Sequence, residues 1–554
     1  MHMPTVSQIC AISLDKRDSG VNVAFVSAME GPNVTELSRR SFMLASAGAI
    51  MAASLPGRVV AAERDTLKIA ILVETGNLDL LQNISGLNTY TLVFDPLIRY
   101  GAGGELLPAL AESWTVAEDG LTITFKLREG VSFSDGAPFD SEAAKWNIER
   151  WAGVPDFAWI GIADAIDTVE TDGPYGLVLN LKRPAPAGLM ELALIRPVRF
   201  LSPQAVDADG NQTAPIGTGP WVITANDNSH TSLVRNEAYW GPAPAFGNIE
   251  LLVVPDELAR ANALRAGDLD IIGGDWVSPL SPRRARALEA DGGVTLYSEA
   301  GTTTMLLGYS PAPTAVVADK AVRDAIYVSI DRAAMAQVLF EGFADPIADL
   351  FPAVIPLSGT RHEVPTRDIA AAKALLTEGG WTEAGGGWDK GGTLLQLRFL
   401  VSEESLPGSR RVAEMIQGML TETGIKVEIS SVDNATMHDR RPAFDYDLTF
   451  FTTYGAPYDP YGSLGNMFLS NVDSGPDGKV FAHPDLDPIL TAALQATTGT
   501  EAAMQAVYDW LDTNRGICPL VAAQRLWAYG PGVSKFTLPP TDYDMPFEGI
   551  ELTS

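Results

Sequence analysis

Apolar and polar residues alternate in short, recognisable patterns from about residue 66 onward. The run Thr66–Val73 (TLKIAILV) predicts a strand, and Leu121–Arg128 (LTITFKLR) alternates as a half-buried strand does. Ser141–Trp151 (SEAAKWNIERW) predicts a helix that begins with a serine cap. In Arg265–Ile272 (RAGDLDII) a Gly-Asp pair precedes an apolar run, which predicts the end of a helix followed by a strand.

The second half of the chain repeats this succession of strands and helices. Met305–Tyr309 and Leu394–Val401 predict strands, and Lys320–Phe340 predicts one long helical segment. The apolar positions of Arg410–Thr421 recur every 3.6 residues, which is typical of an amphipathic helix, and Ile425–Ser430 predicts the next strand. Strand, helix and strand in this order indicate an α/β lobe.

Charge and cysteine content narrow the class of protein. The 554-residue chain carries a formal net charge of −30, which argues against nucleic acid or an anionic membrane as a partner. Its only cysteines are Cys10 and Cys518, so a disulfide framework or a cysteine-rich metal site is not expected, and Cys518 is interpreted as a small core residue.

The first 62 residues resemble a leader. The pair Arg39-Arg40 precedes an apolar stretch, Phe42–Leu55, that is short for a membrane span, and small residues follow at Val60-Ala61-Ala62. This order of charge, apolar run and cleavage site predicts a twin-arginine-type secretory signal. The alternative is a chance basic pair before a core helix.

One arginine stands inside an apolar run. In Glu191–Phe200 (ELALIRPVRF), four apolar residues precede Arg196, and Pro197 follows it. Burying an unpaired guanidinium would cost several kcal/mol. Either a protein carboxylate pairs with Arg196, or the side chain reaches water, or it opens onto a cavity and binds an external anion. The residues alone leave these alternatives open.

A series of long motifs in fixed order resembles family 5 of the bacterial extracellular solute-binding proteins. The motifs are LPALAESW, DGLTITFKLREGVSFSDGAPFDSEAAKWNIER, APIGTGPW, RNEAYWG and RAGDLDII. The resemblance implies an α/β, two-lobed periplasmic-binding-protein fold (type II, large family-5 form) with a ligand cleft between the lobes. It predicts a leader at 1–62, lobe I at 63–300, lobe II at 301–519 and a return to lobe I at 520–554.

Within the family, the stretches ELALIRPVRF, AWIGIA and YGAPYDPY are most similar to the periplasmic nickel-binding members. This similarity implies that Arg196 holds a ligand carboxylate and that Trp159, Tyr454 and Tyr458 line the same pocket. A second ligand-contacting arginine of those members falls on Asp156 here, and their metal-ligating histidine falls on Val472. Valine cannot replace an imidazole ligand, so direct metal ligation is not expected unless the fold brings His438 or His483 to the cleft. We therefore assign no metal ligand and no cofactor.

The resemblance implies the substrate-binding component of an ABC importer. We expect it to capture a small carboxylate-bearing solute in the periplasm: a short peptide, an opine-like compound, or a nickel or other metal chelate. The expected partners are this ligand and the permease subunits of the inner membrane, with the protein itself a monomer. The alternatives are a solute sensor or periplasmic chaperone on the same fold, and a secreted hydrolase, for which we find no catalytic motif.

Overall fold

A computed structural model describes residues 64–82, 86–472 and 478–553. The predicted leader at 1–62 lies outside these residues. Within them the fold is mixed α/β, which confirms the predicted class. None of the helices in this part of the chain has the length and apolar character needed to cross a membrane.

The strands, numbered in chain order, are β1 Thr66–Ile71, β2 Ile98–Tyr100, β3 Leu106–Pro108, β4 Ala111–Val116, β5 Thr122–Leu127, β6 Ile166–Asp172, β7 Gly176–Leu181, β8 Trp221–Asn226, β9 His230–Arg235, β10 Asn248–Val253, β11 Ile271–Gly273, β12 Thr295–Glu299, β13 Met305–Tyr309, β14 Ala344–Pro346, β15 Thr382–Ala384, β16 Gly387–Lys390, β17 Thr393–Leu394, β18 Gln396–Val401, β19 Lys426–Ser431, β20 Leu448–Thr452, β21 Cys518–Ala523, β22 Arg525–Tyr529, β23 Val533–Lys535 and β24 Glu551–Leu552.

The helices are α1 Leu87–Val93, α2 Ser141–Glu149, α3 Gly161–Ala165, α4 Gly188–Glu191, α5 Glu257–Ala266, α6 Pro282–Asp291, α7 Lys320–Ser329, α8 Arg332–Leu339, α9 Ile369–Glu378, α10 Ser409–Glu422, α11 Asn434–Arg440, α12 Tyr461–Phe468, α13 Asp487–Leu494 and α14 Thr500–Thr513.

A seven-stranded sheet contains strands from both ends of the described chain. Its order is β12-β22-β11-β1-β10-β9-β8. The central strand β1 is parallel to both of its neighbours, and the outer pairs are antiparallel. Parallel strands lie in the middle because they need cover on both faces. The late strand β22 therefore joins the sheet that contains the early strands.

A six-stranded sheet contains the strands of the second half, in the order β14-β21-β13-β20-β18-β19. Consecutive strands β21 and β22 belong to different sheets, and Gln524 alone separates them. The predicted core role of Cys518 is confirmed, because its side chain is fully buried in β21.

The alternating run at 121–128 forms β5 of a four-stranded antiparallel sheet, β4-β5-β7-β6. Ile123, Phe125 and Leu127 are buried, and the residues between them are exposed. Alternation thus identifies the strand and its inner face.

Aspartate caps decide where several helices begin. The predicted Ser141 cap is wrong, because Asp140 is the N-cap residue and its carboxylate accepts a hydrogen bond from the Ala143 N–H. The prediction of one continuous helix over 320–340 is also wrong. It divides after Ser329 into α7 and α8, since Asp331 caps the second helix by accepting from the Ala334 N–H at 2.9 Å.

The Gly-Thr-Gly-Pro-Trp turn brings two backbone segments close together. A β-carbon on Gly217 would lie 2.0 Å from the Val93 carbonyl oxygen, so only glycine permits this approach. Trp221, which follows the turn, is buried and stacks on Phe246 with ring centroids 5.3 Å apart. The tryptophan therefore anchors the turn in the core.

Candidate functional site

The stretch Glu191–Phe200 lies where three hydrophobic clusters meet. Leu192 and Leu194 pack in the cluster around the four-stranded sheet, whereas Ala193 packs in the cluster of the second half of the chain. Ile195 packs in a third cluster, beneath the seven-stranded sheet. Successive side chains therefore fix the backbone from three directions, and the residues that follow are held in position.

Arg196 has no protein partner in the described part of the chain. It makes neither a hydrogen bond nor an ion pair with any described residue, and its side chain is partly exposed. It precedes a cis peptide bond to Pro197. Burial raises the pKa values of Tyr90 and Tyr458, and the charge of Arg196 opposes this rise at both hydroxyls. The guanidinium therefore lies near two tyrosines and remains able to bind an anion.

A second arginine of the same stretch, Arg199, is buried. One of its Nη atoms donates to the Phe94 carbonyl at 2.6 Å, and the other lies 3.7 Å from Asp544. Burial lowers the pKa of Arg199, and the negative charges of Asp544 and Asp95 oppose this effect. Sequence reasoning missed Arg199, although a second arginine three residues after Arg196 was a visible signal.

Tyr458 lies in a turn that is tied together by one buried carboxylate. Asp459 accepts hydrogen bonds from the Gly455 N–H at 2.6 Å and the Ser463 N–H at 3.2 Å. Burial raises the pKa of Asp459 to about 7, while these hydrogen bonds favour its charged form. Burial likewise raises the pKa of Tyr458 to about 12. The turn therefore presents a neutral phenol close to Arg196.

The predicted aromatic residues come together around one small cavity. Trp159, Tyr454 and Tyr458 all line it, and its free volume is about 30 Å³, enough for one water molecule. The rings of Trp159 and Tyr458 lie 6.5 Å apart between centroids. Arg196 does not line this cavity, but its positive charge acts on the hydroxyl of Tyr458, which does line it.

The C-terminal segment adds an aromatic residue that the sequence did not indicate. The ring of Tyr543 packs edge-on against Tyr458 with centroids 5.1 Å apart, and its hydroxyl donates to the Tyr454 carbonyl at 3.1 Å. Trp276 in turn stacks on the ring of Tyr543, with centroids 5.1 Å apart. No local pattern could have indicated Tyr543, because it lies 85 positions after Tyr458 in an irregular segment.

Glu191 holds the loop that carries Trp159. Its two carboxylate oxygens accept from the N–H groups of Gly161 and Ile162, at 2.9 and 2.7 Å. Burial raises the pKa of Glu191, and the same two hydrogen bonds oppose that rise. Glu191 therefore connects the start of the arginine-bearing stretch to the indole of the cavity.

The described residues contain no group of three or more His, Cys, Asp or Glu side chains arranged to hold a metal ion. Val472 does not line the aromatic cavity, and neither does Asp156. The aromatic faces and tyrosine hydroxyls of the cavity suit an organic ligand, and the Arg196 guanidinium, which lies near Tyr458 but outside the cavity, suits an anionic group on that ligand.

Comparison with known proteins gives consistent matches over most of the chain. The family model for bacterial extracellular solute-binding proteins, family 5 Middle, matches residues 105–475. The nickel-binding periplasmic protein of Escherichia coli K12 is 32% identical over 479 residues, which are 83% of this chain and 89% of that protein.

Two crystal structures are similar over 88% of this chain and all of theirs. An ABC transporter substrate-binding protein from Sinorhizobium meliloti is 41% identical, with a TM-score of 0.79. NikA from Brucella suis, in complex with Fe(III)-EDTA, is 30% identical, with a TM-score of 0.81.

Proposed function

The chain belongs to family 5 of the bacterial extracellular solute-binding proteins, and from this premise we propose that it captures a small carboxylate-bearing solute for an ABC importer. Its homologues and its two-lobed periplasmic-binding-protein fold are those of substrate-binding transport proteins, not of enzymes. The observation that carries the proposal is Arg196, whose guanidinium has no partner among the described residues and lies beside Tyr458.

Arg196 is the residue that binds the solute's carboxylate. A guanidinium donates two parallel hydrogen bonds to a carboxylate, and its charge persists at every physiological pH. The three hydrophobic clusters that fix residues 192–195 supply the rigidity that such a fork needs. The aromatic faces of Trp159, Tyr454 and Tyr458 enclose the organic body of the solute.

The solute enters when two lobes separate. The closed cavity, at about 30 Å³, is too small for any organic solute. Trp159 lies in the predicted lobe I (63–300), whereas Tyr454 and Tyr458 lie in the predicted lobe II (301–519), so relative motion of the lobes opens the cavity between them. The chain crosses between the two large sheets at residues 300–304 and at Gln524, and these two connections form the hinge. We therefore refine the predicted return at residue 520 to Gln524.

The named ligands of the relatives narrow the class of solute. Nickel is the named ligand of the Escherichia coli protein, and the Brucella suis protein is in complex with Fe(III)-EDTA, a chelate rich in carboxylates. A metal that this chain transports brings its own ligands, because Val472 stands where the resemblance places the metal-ligating histidine of the nickel-binding members. The candidates are a chelated metal, a short peptide or an opine-like acid.

The same proposal assigns the location and partners. The curated relative is periplasmic, and a twin-arginine-type signal in the first 62 residues would export this chain already folded. It then acts as a monomer that delivers its solute to the permease subunits of the inner membrane.

Native mass spectrometry of the exported protein, purified from its own cells, tests this function. We expect a bound solute of a few hundred daltons that carries a carboxylate and that is recovered unchanged after prolonged incubation. Parallel elemental analysis shows whether a metal is present. Conversion of the bound molecule to a product, or a solute without any acidic group, would refute the proposal.

A further inference from the structure

The turn that carries Tyr458 belongs to one half of the fold and packs into the other. It follows β20 of the six-stranded sheet, and Tyr454 packs in the hydrophobic cluster of that half of the chain. The ring of Tyr458, however, packs against the cluster around the four-stranded sheet and the cluster beneath the seven-stranded sheet. The turn therefore bridges the two proposed lobes, and contacts made to it from lobe I depend on their closure.

The C-terminal segment at residues 539–545 is fastened to lobe I through its backbone. The side chain of Asn88 donates to the Tyr543 carbonyl at 2.8 Å, and the Thr91 hydroxyl accepts from the Met545 N–H at 3.2 Å. Both side chains come from the region of helix α1, which lies in lobe I. The path of the segment is therefore fixed by lobe I and does not follow lobe II.

The side chain of Tyr543 contacts the bridging turn. Its hydroxyl donates to the Tyr454 carbonyl at 3.1 Å, and its ring packs edge-on against Tyr458 with centroids 5.1 Å apart. Burial raises the pKa of Tyr543 well above its ordinary value, so the hydroxyl keeps its proton and remains a donor. This hydrogen bond joins a donor held by lobe I to an acceptor that belongs to lobe II.

Asp542, the preceding residue, contacts both connections of the hinge. One carboxylate oxygen accepts from the hydroxyl of Thr302, in the first connection, at 2.5 Å. The other lies 3.4 Å from Nε of Arg525, which directly follows Gln524. Thr302 also lies against the bridging turn, since a β-carbon on Gly455 would lie 2.5 Å from its hydroxyl oxygen. The hinge, the C-terminal segment and the turn are therefore in mutual contact.

We propose that Asp542 and Tyr543 form a latch that holds the lobes closed when no solute is bound. The hydrogen bond between Tyr543 and Tyr454 breaks as the lobes separate, because its two partners belong to different lobes. Asp542 fixes the latch to the hinge through its bond with Thr302. The latch raises the closed fraction, and the apparent affinity for a solute that binds best to the closed form rises with that fraction. This inference rests on the proposed two-lobe motion and adds the contact that sets its equilibrium.

Spin labels on the chain from residue 63 onward measure this equilibrium without ligand. The labels are attached at Glu118→Cys and Thr498→Cys, on exposed loops of lobe I and lobe II. These loops meet in the closed form, because a β-carbon on Gly120 would lie 3.7 Å from a side-chain atom of Thr497. The remaining cysteine, Cys518, is buried and stays unlabelled. Electron paramagnetic resonance then gives the ratio of open to closed molecules from the distance between the labels.

We expect a measurable closed fraction in the labelled parent chain. Tyr543→Phe removes only the hydroxyl and should raise the open-to-closed ratio about two- to tenfold, the factor that one net hydrogen bond supplies. Thr302→Val removes the bond to Asp542 and should raise the ratio in the same direction. Tyr446→Phe is the matched control, because the Tyr446 hydroxyl donates to the Lys479 carbonyl at 3.3 Å within lobe II. It should leave the ratio unchanged.

Three results would overturn the latch. They are a parent chain that is entirely open without ligand, an unchanged ratio in either latch variant that thermal unfolding shows to be folded, and an equal shift in Tyr446→Phe. No solute enters this measurement, so failure of the latch would leave carboxylate capture by Arg196 unaffected. Failure of that capture would likewise leave the measured ratio unchanged.

Discussion

Asn147 connects helix α2 to the end of the arginine-bearing stretch. Its amide nitrogen donates to the Leu201 carbonyl at 2.9 Å and to the Ala143 carbonyl at 3.0 Å, and its oxygen accepts from the Leu201 N–H at 2.9 Å. The side chain is only 4% exposed. Asn147 therefore satisfies both backbone groups of Leu201 and anchors the segment that positions Arg196.

We predict that Asn147→Leu destabilises the protein by about 2–6 kcal/mol. The leucine has a similar volume but leaves the N–H and the C=O of Leu201 buried without partners, at about 1–3 kcal/mol for each group. The Ala143 carbonyl adds little, because it can bond within helix α2. The loss of stability should therefore come almost entirely from the unpaired N–H and C=O groups of Leu201.

Equilibrium unfolding in urea, followed by tryptophan fluorescence, measures this loss. Asn180→Leu is the matched control, since the Asn180 amide bonds only to Thr168 and Glu170 on an exposed face. It should change the free energy of unfolding by less than about 1 kcal/mol. Equal stabilities for Asn147→Leu and Asn180→Leu would refute the reasoning that Leu201 depends on this amide.

Two further predictions concern backbone packing and pH. Gly217→Ala should lower the free energy of unfolding by about 1–3 kcal/mol, because its β-carbon would lie 2.0 Å from the Val93 carbonyl oxygen. Gly418→Ala, inside helix α10 with open space around it, should raise the free energy of unfolding by about 0.5–1 kcal/mol. Thermal unfolding of both variants checks these opposite signs. The pKa of Asp459 rises from 3.8 to about 7 on folding, so the folded state keeps a proton that the unfolded state has lost, and this contribution to stability declines as the pH rises from about 4 to 7. Asp459→Asn should flatten that decline in thermal midpoints measured at pH 5 and 7.5, and an unchanged slope would show that Asp459 does not cause it.

Local patterns predict much of the fold. The alternation at 121–128 and the 3.6-residue period at 410–421 both correspond to observed elements, because each depends on one buried face that neighbouring residues determine. The division of the 320–340 helix was missed since its apolar positions continue through the break. Only the capping preference of Asp331 marks the break, and the apolar period of the helix continues across it.

The candidate site is less predictable, because distant segments build it. The stretch around Arg196 and the turn of Tyr458 carry recognisable motifs, whereas Tyr543 reaches the same place from an irregular C-terminal segment. The unpaired state of Arg199 Nε depends on the position of every neighbouring acceptor, which no sequence pattern specifies. Such features follow from tertiary packing and not from local propensity.

Capture of a carboxylate by Arg196 is tested most directly by titrating the chain from residue 63 onward, as wild type, Arg196→Ala and Arg183→Ala. The ligands are Fe(III)-EDTA, a short peptide and the solute recovered by native mass spectrometry. Arg183 pairs with Asp164 on the exposed surface at 2.9 Å, so its alanine variant is the control for loss of one positive charge. We predict that the wild type and Arg183→Ala bind the same solute with equal affinity. Arg196→Ala should remain folded and lose about 2–5 kcal/mol of binding free energy. Undiminished binding by Arg196→Ala, or a failure of that variant to fold, would contradict the account.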